Sequence, residues 1–380
     1  MKKAQTSPNK TTYNCKMNKI IISGGGTGGH LFPALSIANH IKHRWPDADI
    51  LFIGADNRME MERVPAAGYR IIGLPVSGFN RKRLLKNFKV IFRLLRSLRT
   101  ARKIIRQFKP DIAIGVGGYA SAPTLWMASM LRIPILIQEQ NSYAGVTNRL
   151  LGKRARKICV AYPGMEKYFP ANRIVITGNP VRAALETIRE KDEESLRYFG
   201  MTPDKPTVLI LGGSLGARTI NNSIRKGLTA LLDAGIQVIW QTGRLYYKQI
   251  TDEMNDTIEG LWVSDFIDRM DYAYSVAELV VSRAGAGTIS ELCLLKKAAL
   301  LVPSPNVAED HQTKNARTLS DKDAAVLIPD RDADSRLIPA IISLMNDKAQ
   351  LNALSEHIAA FAQHNSTGRI VQEAINLVKS

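Results

Sequence analysis

The sequence predicts an α/β protein built as two facing Rossmann-like, doubly wound domains, and three observations predict it. Short β-branched runs alternate with helix-like segments along nearly the whole chain, the grammar of parallel sheets. Two of those runs end in glycine loops that open into helices, "IIISGGGTGGHLFPALSIANHI" and "TVLILGGSLGARTINNSI". No short-period repeat is present, and the similarity lies between the two halves, which argues for two related folds rather than a solenoid. Ligands of such sheets bind beyond the strand C-termini, so the site is expected in the cleft between the domains.

In order, strands are expected at residues 19 to 23, 49 to 53, 70 to 74, 112 to 116, 134 to 138, 157 to 160 and 174 to 177, most followed by a helical pattern. After "TGNPVR" a charged helical stretch, "AALETIREKDEESLRYFG", leads to the second glycine loop. Further strands read at 237 to 240, 261 to 264, 279 to 282, 299 to 302 and 325 to 328, with a helix pair from about Ser335. The boundary falls near Pro180 to Arg182. We therefore expect a first domain over 18–181, a second over 182–358, and a terminal helix at about 359–380 that completes the first. Residues 1–17 are polar and aperiodic and read as a mobile tail.

The chain has 380 residues, 45% of them hydrophobic, enough for two ordinary cores and too apolar for a disordered or fibrous protein. No apolar run reaches the about eighteen residues of a membrane span, and the N-terminus lacks the apolar core of a signal peptide, so a cytosolic protein is expected. Cys15, Cys159 and Cys293 are widely spaced and odd in number, which suggests neither a disulfide framework nor a zinc site.

The net charge of +18 is unevenly placed: residues 1 to 180 carry 30 Lys+Arg against 8 Asp+Glu, while the rest carry 22 against 26. No acidic residue occurs between Glu62 and Asp111. There "NRKRLLKNFKVIFRLLRSLRTARKIIRQFK" sets cations among Leu84, Phe88, Ile91, Leu95, Leu98, Ile105 and Phe108, which can share one helical face. Such a stretch reads as a core helix with a solvated basic face, a nucleic-acid footprint or an anionic membrane contact. The part after about Arg93 suits ordinary α/β packing. The part before it, with Phe79, Arg81, Lys82, Arg83, Leu84, Leu85, Phe88, Ile91 and Phe92, suits insertion among anionic headgroups. No recognition motif accompanies the charge, so nucleic acid is not expected as a partner.

The first glycine loop can cradle phosphate with backbone N–H groups at a helix N-terminus. His30 stands at that helix start, where the dipole favours a neutral imidazole that accepts a proton; the alternative is a turn histidine bonded to backbone. In the second half, "SRAGAGTISE" turns a strand into a helix through small residues, leaving N–H groups for a diphosphate. Glu291, one turn in, can take both hydroxyls of a ribose; its alternative is an N-terminal acid stabilised by the helix dipole. Gly212 to Gly216, Ala284 to Gly287 and Asp310 to Gln312 all follow expected strands of one sheet and should converge on a nucleoside-diphosphate pocket.

The motifs "GGTGGHLFPAL", "GGYASAP", "QEQNSYAGVTNRLL", "GNPVR", "GGSLGA", "SRAGAGTISE" and "EDHQTKNAR" occur in an order and at separations by which the chain resembles the MurG family over about residues 18 to 375. These are GT-B glycosyltransferases of peptidoglycan synthesis. The resemblance implies that the chain transfers GlcNAc from UDP-GlcNAc to undecaprenyl-diphosphate-linked MurNAc-pentapeptide (lipid I), as part of cell-wall biogenesis, cell shape and division. It implies a peripheral place on the cytoplasmic face of the inner membrane, an anionic membrane surface and other cell-wall synthesis proteins as partners, and no required cofactor or metal. His30 is implied as the general base. On the donor side the resemblance implies Thr27, Gly28, Gly29, Asn141, Arg182, Ser214, Ile267, Arg283, Ala286, Gly287, Thr288, Glu291, His311 and Gln312. Gly25, Gly26, Gly117, Gly118, Tyr119 and Ser121 are implied for the acceptor diphosphate. The sequence departs from the family pattern at Leu215 and His311, where glutamine occurs in relatives.

Three other readings fit part of the pattern. A nucleotide-dependent oxidoreductase would use the G-x-G-x-x-G at 24 to 29, but Asp56 comes late for a ribose clamp and the second set of glycine loops is left without a role. A periplasmic-type receptor fits facing α/β domains but gives the basic face no purpose. Another GT-B transferase would differ only in its acceptor.

Overall fold

The computed structural model describes residues 17–76, 87–181, 185, 191–213, 215–254, 258–307 and 310–379, with backbone alone at 87–91. Residues 1–16 of the expected tail, the Phe79 to Leu85 segment, Arg182 and Ser214 lie outside the described residues.

The first sheet contains β1 (Lys19–Ser23), β2 (Asp49–Ala55), β3 (Arg70–Leu74), β4 (Ile112–Gly115), β5 (Ile135–Glu139), β6 (Lys157–Val160) and β7 (Ile174–Ile176). They pair in parallel in the order β3-β2-β1-β4-β5-β6-β7. The second contains β8 (Thr207–Leu211), β9 (Gln237–Gln241), β10 (Leu261–Ser264), β11 (Leu279–Ser282), β12 (Ala298–Leu301) and β13 (Val326–Leu327), parallel in the order β10-β9-β8-β11-β12-β13. Both run outward from the first strand in each direction, the doubly wound order, so each has a switch point where the glycine loop leaves its first strand. Every strand lies within about two residues of its expected place.

Among the helices, α1 (Gly28–Arg44), α2 (Glu60–Ala66), α3 (Asn87–Phe108), α4 (Ser121–Met130) and α5 (Val146–Gly152) belong to the first half. The second carries α6 (Glu193–Phe199), α7 (Arg218–Asp233), α8 (Tyr247–Asp252), α9 (Met270–Val276), α10 (Ala286–Leu294), α11 (His311–Ser320), α12 (Ala333–Asn346), α13 (Lys348–Ala359) and α14 (Ser366–Lys379). Where a terminal pair was expected there are three helices. Asp347 separates the first two, its carboxylate accepting from the Gln350 N–H at 2.9 Å as an N-cap.

Strand side chains alternate between two layers. Ile20, Ile22, Phe52 and Ile114 face α1 and α14, whereas Ile21, Leu51, Ile53 and Ile137 face the α3 to α5 side. A strand apolar on both faces reads as one continuous run, and each large side chain fully buried contributes about 1.5–3 kcal/mol. The last helix returns to the first domain: Ile370, Val371, Ala374 and Ile375 pack with Leu31, Ile37 and Ile41 of α1. The two chain crossings between domains meet at Gly178 (φ 83), where a β-carbon would lie 2.4 Å from Ser366 Oγ and 2.5 Å from Gln363 Cβ.

The basic helix α3 enters the core only from Ser97 onward, with Ala101, Ile104 and Ile105 buried; Phe92, Leu94 and Leu95 are exposed. The expectation that the helix serves the core from about Arg93 is therefore corrected by one turn, because the helix projects past the layer it packs against. No helix among the described residues is long and apolar enough to cross a membrane.

Candidate active site

The site begins at the loop leaving β1. Thr27, in extended conformation, is the N-cap of α1, and His30 is that helix's third residue. The ring's Nδ1 lies 3.1 Å from Thr27 Oγ1. On its other side the ring rests against Gly117, where a β-carbon would come 2.8 Å from both Cδ2 and Nε2. Gly117 also sits at φ 91, so any side chain there is excluded twice over. The His30 pKa is lowered to about 4: burial is the largest cause and the charge of His311 adds to it, while a hydrogen bond with the Gly25 backbone works the other way. The imidazole is therefore neutral at pH 7.

A buried carboxylate shapes the same loop. Glu60, the first residue of α2, is fully buried and accepts the Gly26 N–H on both oxygens at 3.0 Å and the Ala55 N–H at 3.0 Å. Three elements, the glycine loop, β2 and α2, are tied at one side chain.

In the second domain, Gly285 caps α10 and Ala286, Gly287 and Thr288 form its first turn, whose N–H groups have no partner within the helix. Glu291, one turn on, accepts from Tyr274 Oη at 2.9 Å. His311 opens α11 after Asp310, which adopts φ 52, and Gln312 Oε1 accepts the Ser304 N–H at 2.8 Å.

The two domains touch through buried amides. Asn179, in the first crossing, donates to Gln140 O at 3.0 Å and to Ser290 Oγ at 3.0 Å, and accepts from Gln138 Nε2 at 2.9 Å. Asn315 on α11 accepts from Ser142 N–H at 3.2 Å and from Ser142 Oγ at 2.9 Å, and donates to Asn141 Oδ1 at 3.2 Å. Arg63 of α2 lies over the Phe266 ring, 5.0 Å from its centroid. The α10 start, the α11 start and the His30 loop thus border one cleft.

Residues 20–160 match the N-terminal domain of glycosyltransferase family 28, and residues 207–368 match its C-terminal domain. The chain belongs to glycosyltransferase family 28. It is 62% identical to a UDP-N-acetylglucosamine–N-acetylmuramyl-(pentapeptide) pyrophosphoryl-undecaprenol N-acetylglucosamine transferase of Parabacteroides distasonis, over 95% of this chain and 98% of that one. A transferase of the same name from Bacteroides fragilis is 57% identical over 95% of this chain and 96% of its own. Among solved structures, Acinetobacter baumannii MurG matches with a TM-score of 0.74 at 27% identity, covering 95% of this chain and 99% of that one. The two parallel sheets are the GT-B architecture of this family.

Within this family 28 scaffold, His30, Thr27, Gly117 and His311 stand together, and Ala286 to Thr288 form a helix start at the domain junction. Ile267 is in the core, 1% exposed, so its side chain is not offered to a ligand. Tyr119 is 54% exposed beside the Gly117–Gly118 turn.

Three of the expected site residues have contacts within the protein. The Gly26 N–H, expected to face an acceptor phosphate, is given to the Glu60 carboxylate. The Ser121 side chain is buried with Oγ 2.8 Å from Ser23 O and 2.9 Å from Gly117 O, so it holds the turn. Arg283 pairs with Asp330 and donates through Nη1 to Val302 O at 3.0 Å and to Pro303 O at 3.2 Å, which ties that nitrogen to the fold.

Glu60, Glu139, Asn179 and Asn315 were missed. Glu139 is buried with a raised pKa, desolvation outweighing hydrogen bonds from the Asn141 N–H at 3.1 Å, the Gly145 N–H at 3.0 Å and Asn148 Nδ2 at 2.9 Å. "QEQN" and "GNP" carried a signal, polar residues directly at predicted strand ends, that points to polar networks there.

Proposed function

We propose that the protein transfers N-acetylglucosamine from UDP-GlcNAc to the 4-hydroxyl of undecaprenyl-diphosphate-linked N-acetylmuramyl pentapeptide, with inversion. The observation that carries the reading is His30 at the start of α1, set between Thr27 and Gly117 and within electrostatic reach of His311 at the start of α11, in a family 28 scaffold. The muramyl hydroxyl attacks C1 as His30 takes its proton; the new C1–O bond forms while the bond from C1 to the UDP oxygen breaks. The leaving diphosphate keeps that electron pair, and its charge is met by the first-turn N–H groups of α10 and by Arg182 and Ser214. Glu291 takes the uridine ribose, the Ile267 main chain the uracil, and Asn141, His311 and Gln312 the sugar. The acceptor diphosphate lies on the Gly117–Gly118 turn and the start of α4. No metal is required in this scheme.

The protein works at a membrane surface. The helices α3, α4 and α5 lie side by side and contain no acidic residue. They expose Phe92, Leu95, Trp126, Met130, Val146 and Leu150 among Arg93, Arg96, Arg99 and Arg149, a pattern suited to anionic headgroups, each nearby cation adding about 1 kcal/mol.

The test is transfer of labelled GlcNAc to a short-chain lipid I analogue, with and without EDTA, by the wild type and His30→Ala. Transfer that survives EDTA and drops about 10²- to 10⁴-fold in the variant is expected. No transfer by folded wild-type protein overturns the reading, and loss in EDTA overturns the metal-free scheme.

A further inference from the structure

Asn315 has zero exposure, and every hydrogen-bonding atom of its side chain is engaged. Its oxygen accepts from the Ser142 N–H and hydroxyl of the first domain. Its nitrogen lies 3.2 Å from Asn141 Oδ1, also of the first domain, and 3.4 Å from Ala284 O of the loop before α10. One primary amide therefore spans a loop of the first domain, the diphosphate-side loop of the second and the helix that begins with His311. The loop it grips is shaped from its own side: the Glu139 carboxylate gathers the Asn141, Gly145 and Asn148 donors and holds the Asn141–Ser142 turn outward toward α11. A buried amide at a boundary between domains is costly unless satisfied on both sides, so its partners hold it to one relative placement of the domains.

We propose that Asn315 is a positioning residue that locks the Asn141–Ser142 turn to α11 and sets the register between the residues that face the sugar from the two domains. It acts through Asn141 and Ser142 and sets the geometry in which the attacking hydroxyl and C1 meet; misplacement of about 1 Å costs about 10²-fold in rate. The inference rests on the transferase reading above. UDP, which lacks the sugar, is held by groups of the second domain, and the lock's tie to them is the long 3.4 Å contact with Ala284 O.

The experiment is a double-mutant cycle of Asn315→Ala and Ser142→Ala, with transfer kinetics and calorimetric UDP binding on each protein. Wild-type transfer on the same substrates is the control, and its absence would indict the function rather than the lock. Asn315→Ala is expected to lower kcat about 10- to 100-fold with the UDP Kd within about twofold of wild type. Adding Ser142→Ala should cause little further loss, and small-angle scattering should show a larger radius of gyration. Unchanged kcat, a UDP Kd that weakens in step with kcat, or strictly multiplicative losses would each overturn the proposal. Should Asn315→Ala not fold, Asn315→Asp replaces it in the cycle. It keeps the Ser142 contacts and loses donation to Asn141 and Ala284, so an intermediate loss of kcat with intact UDP binding is expected and wild-type kcat would overturn the lock.

Discussion

The His30 ring lies against the bare α-carbon of Gly117, so close that a single methyl there would stand 2.8 Å from Nε2. The Gly117–Gly118 turn before α4 thereby fixes the far wall of the histidine's site. Gly117→Ala should displace the ring and strain a backbone at φ 91, costing about 1–2 kcal/mol of stability. Transfer should drop at least tenfold with UDP affinity unchanged. Equal kcat in the variant would show that the ring's place does not matter.

The His30 ring should titrate near pH 4 rather than 6.5. His311→Gln removes the facing charge and should move the midpoint upward, read from the ring C–H shifts by NMR. The stability effect follows from the lowered value. Between pH 6.5 and 4 the unfolded chain binds more protons at this group, so its contribution is full above pH 6.5 and is lost as pH falls toward 4. His30→Ala should flatten that part of the acid unfolding profile.

Glu60→Ala should strand the N–H groups of Gly26 and Ala55 away from water. A buried donor left without a partner costs about 1–3 kcal/mol, so urea unfolding should shift by at least that much. Glu60→Gln keeps an acceptor oxygen and should recover part of the loss. Identical midpoints for all three proteins would remove Glu60 from the account of the loop.

Phe92→Asp combined with Leu150→Asp should abolish flotation with vesicles of anionic lipid, since both side chains are about two-thirds exposed among arginines. Transfer to a water-soluble acceptor analogue should stay within about twofold. Wild-type flotation should weaken with salt as the charges are screened. Flotation by the double variant equal to wild type would sink the membrane face.

Periodicity and strand-end glycines made the fold legible, because a strand buried on both faces leaves an apolar run whose ends are marked by turn residues. The places of His30 and of Ala286 to Thr288 at helix N-termini were legible for the same local reason, since glycine loops after strands mark such starts. What could not be read was anything decided at a distance. Glu60 serves a loop more than thirty residues away, and Asn315 serves Ser142 across 173 positions, with no local pattern to announce either. The Arg283 ion pair was hidden for the same reason, since Asp330 is 47 positions along the chain. The exposed turn of α3 was misjudged because helical spacing reports which residues share a face, not how far along the helix its neighbour extends.

The return of α14 to the first domain has a consequence for how the chain is made. Ile370, Val371, Ala374 and Ile375 cover one face of the first sheet, yet they leave the ribosome after the whole second domain. During synthesis the first domain therefore waits with a strip of Leu31, Ile37 and Ile41 uncovered, while the second can close around its own core. The half of the molecule translated first is the half completed last.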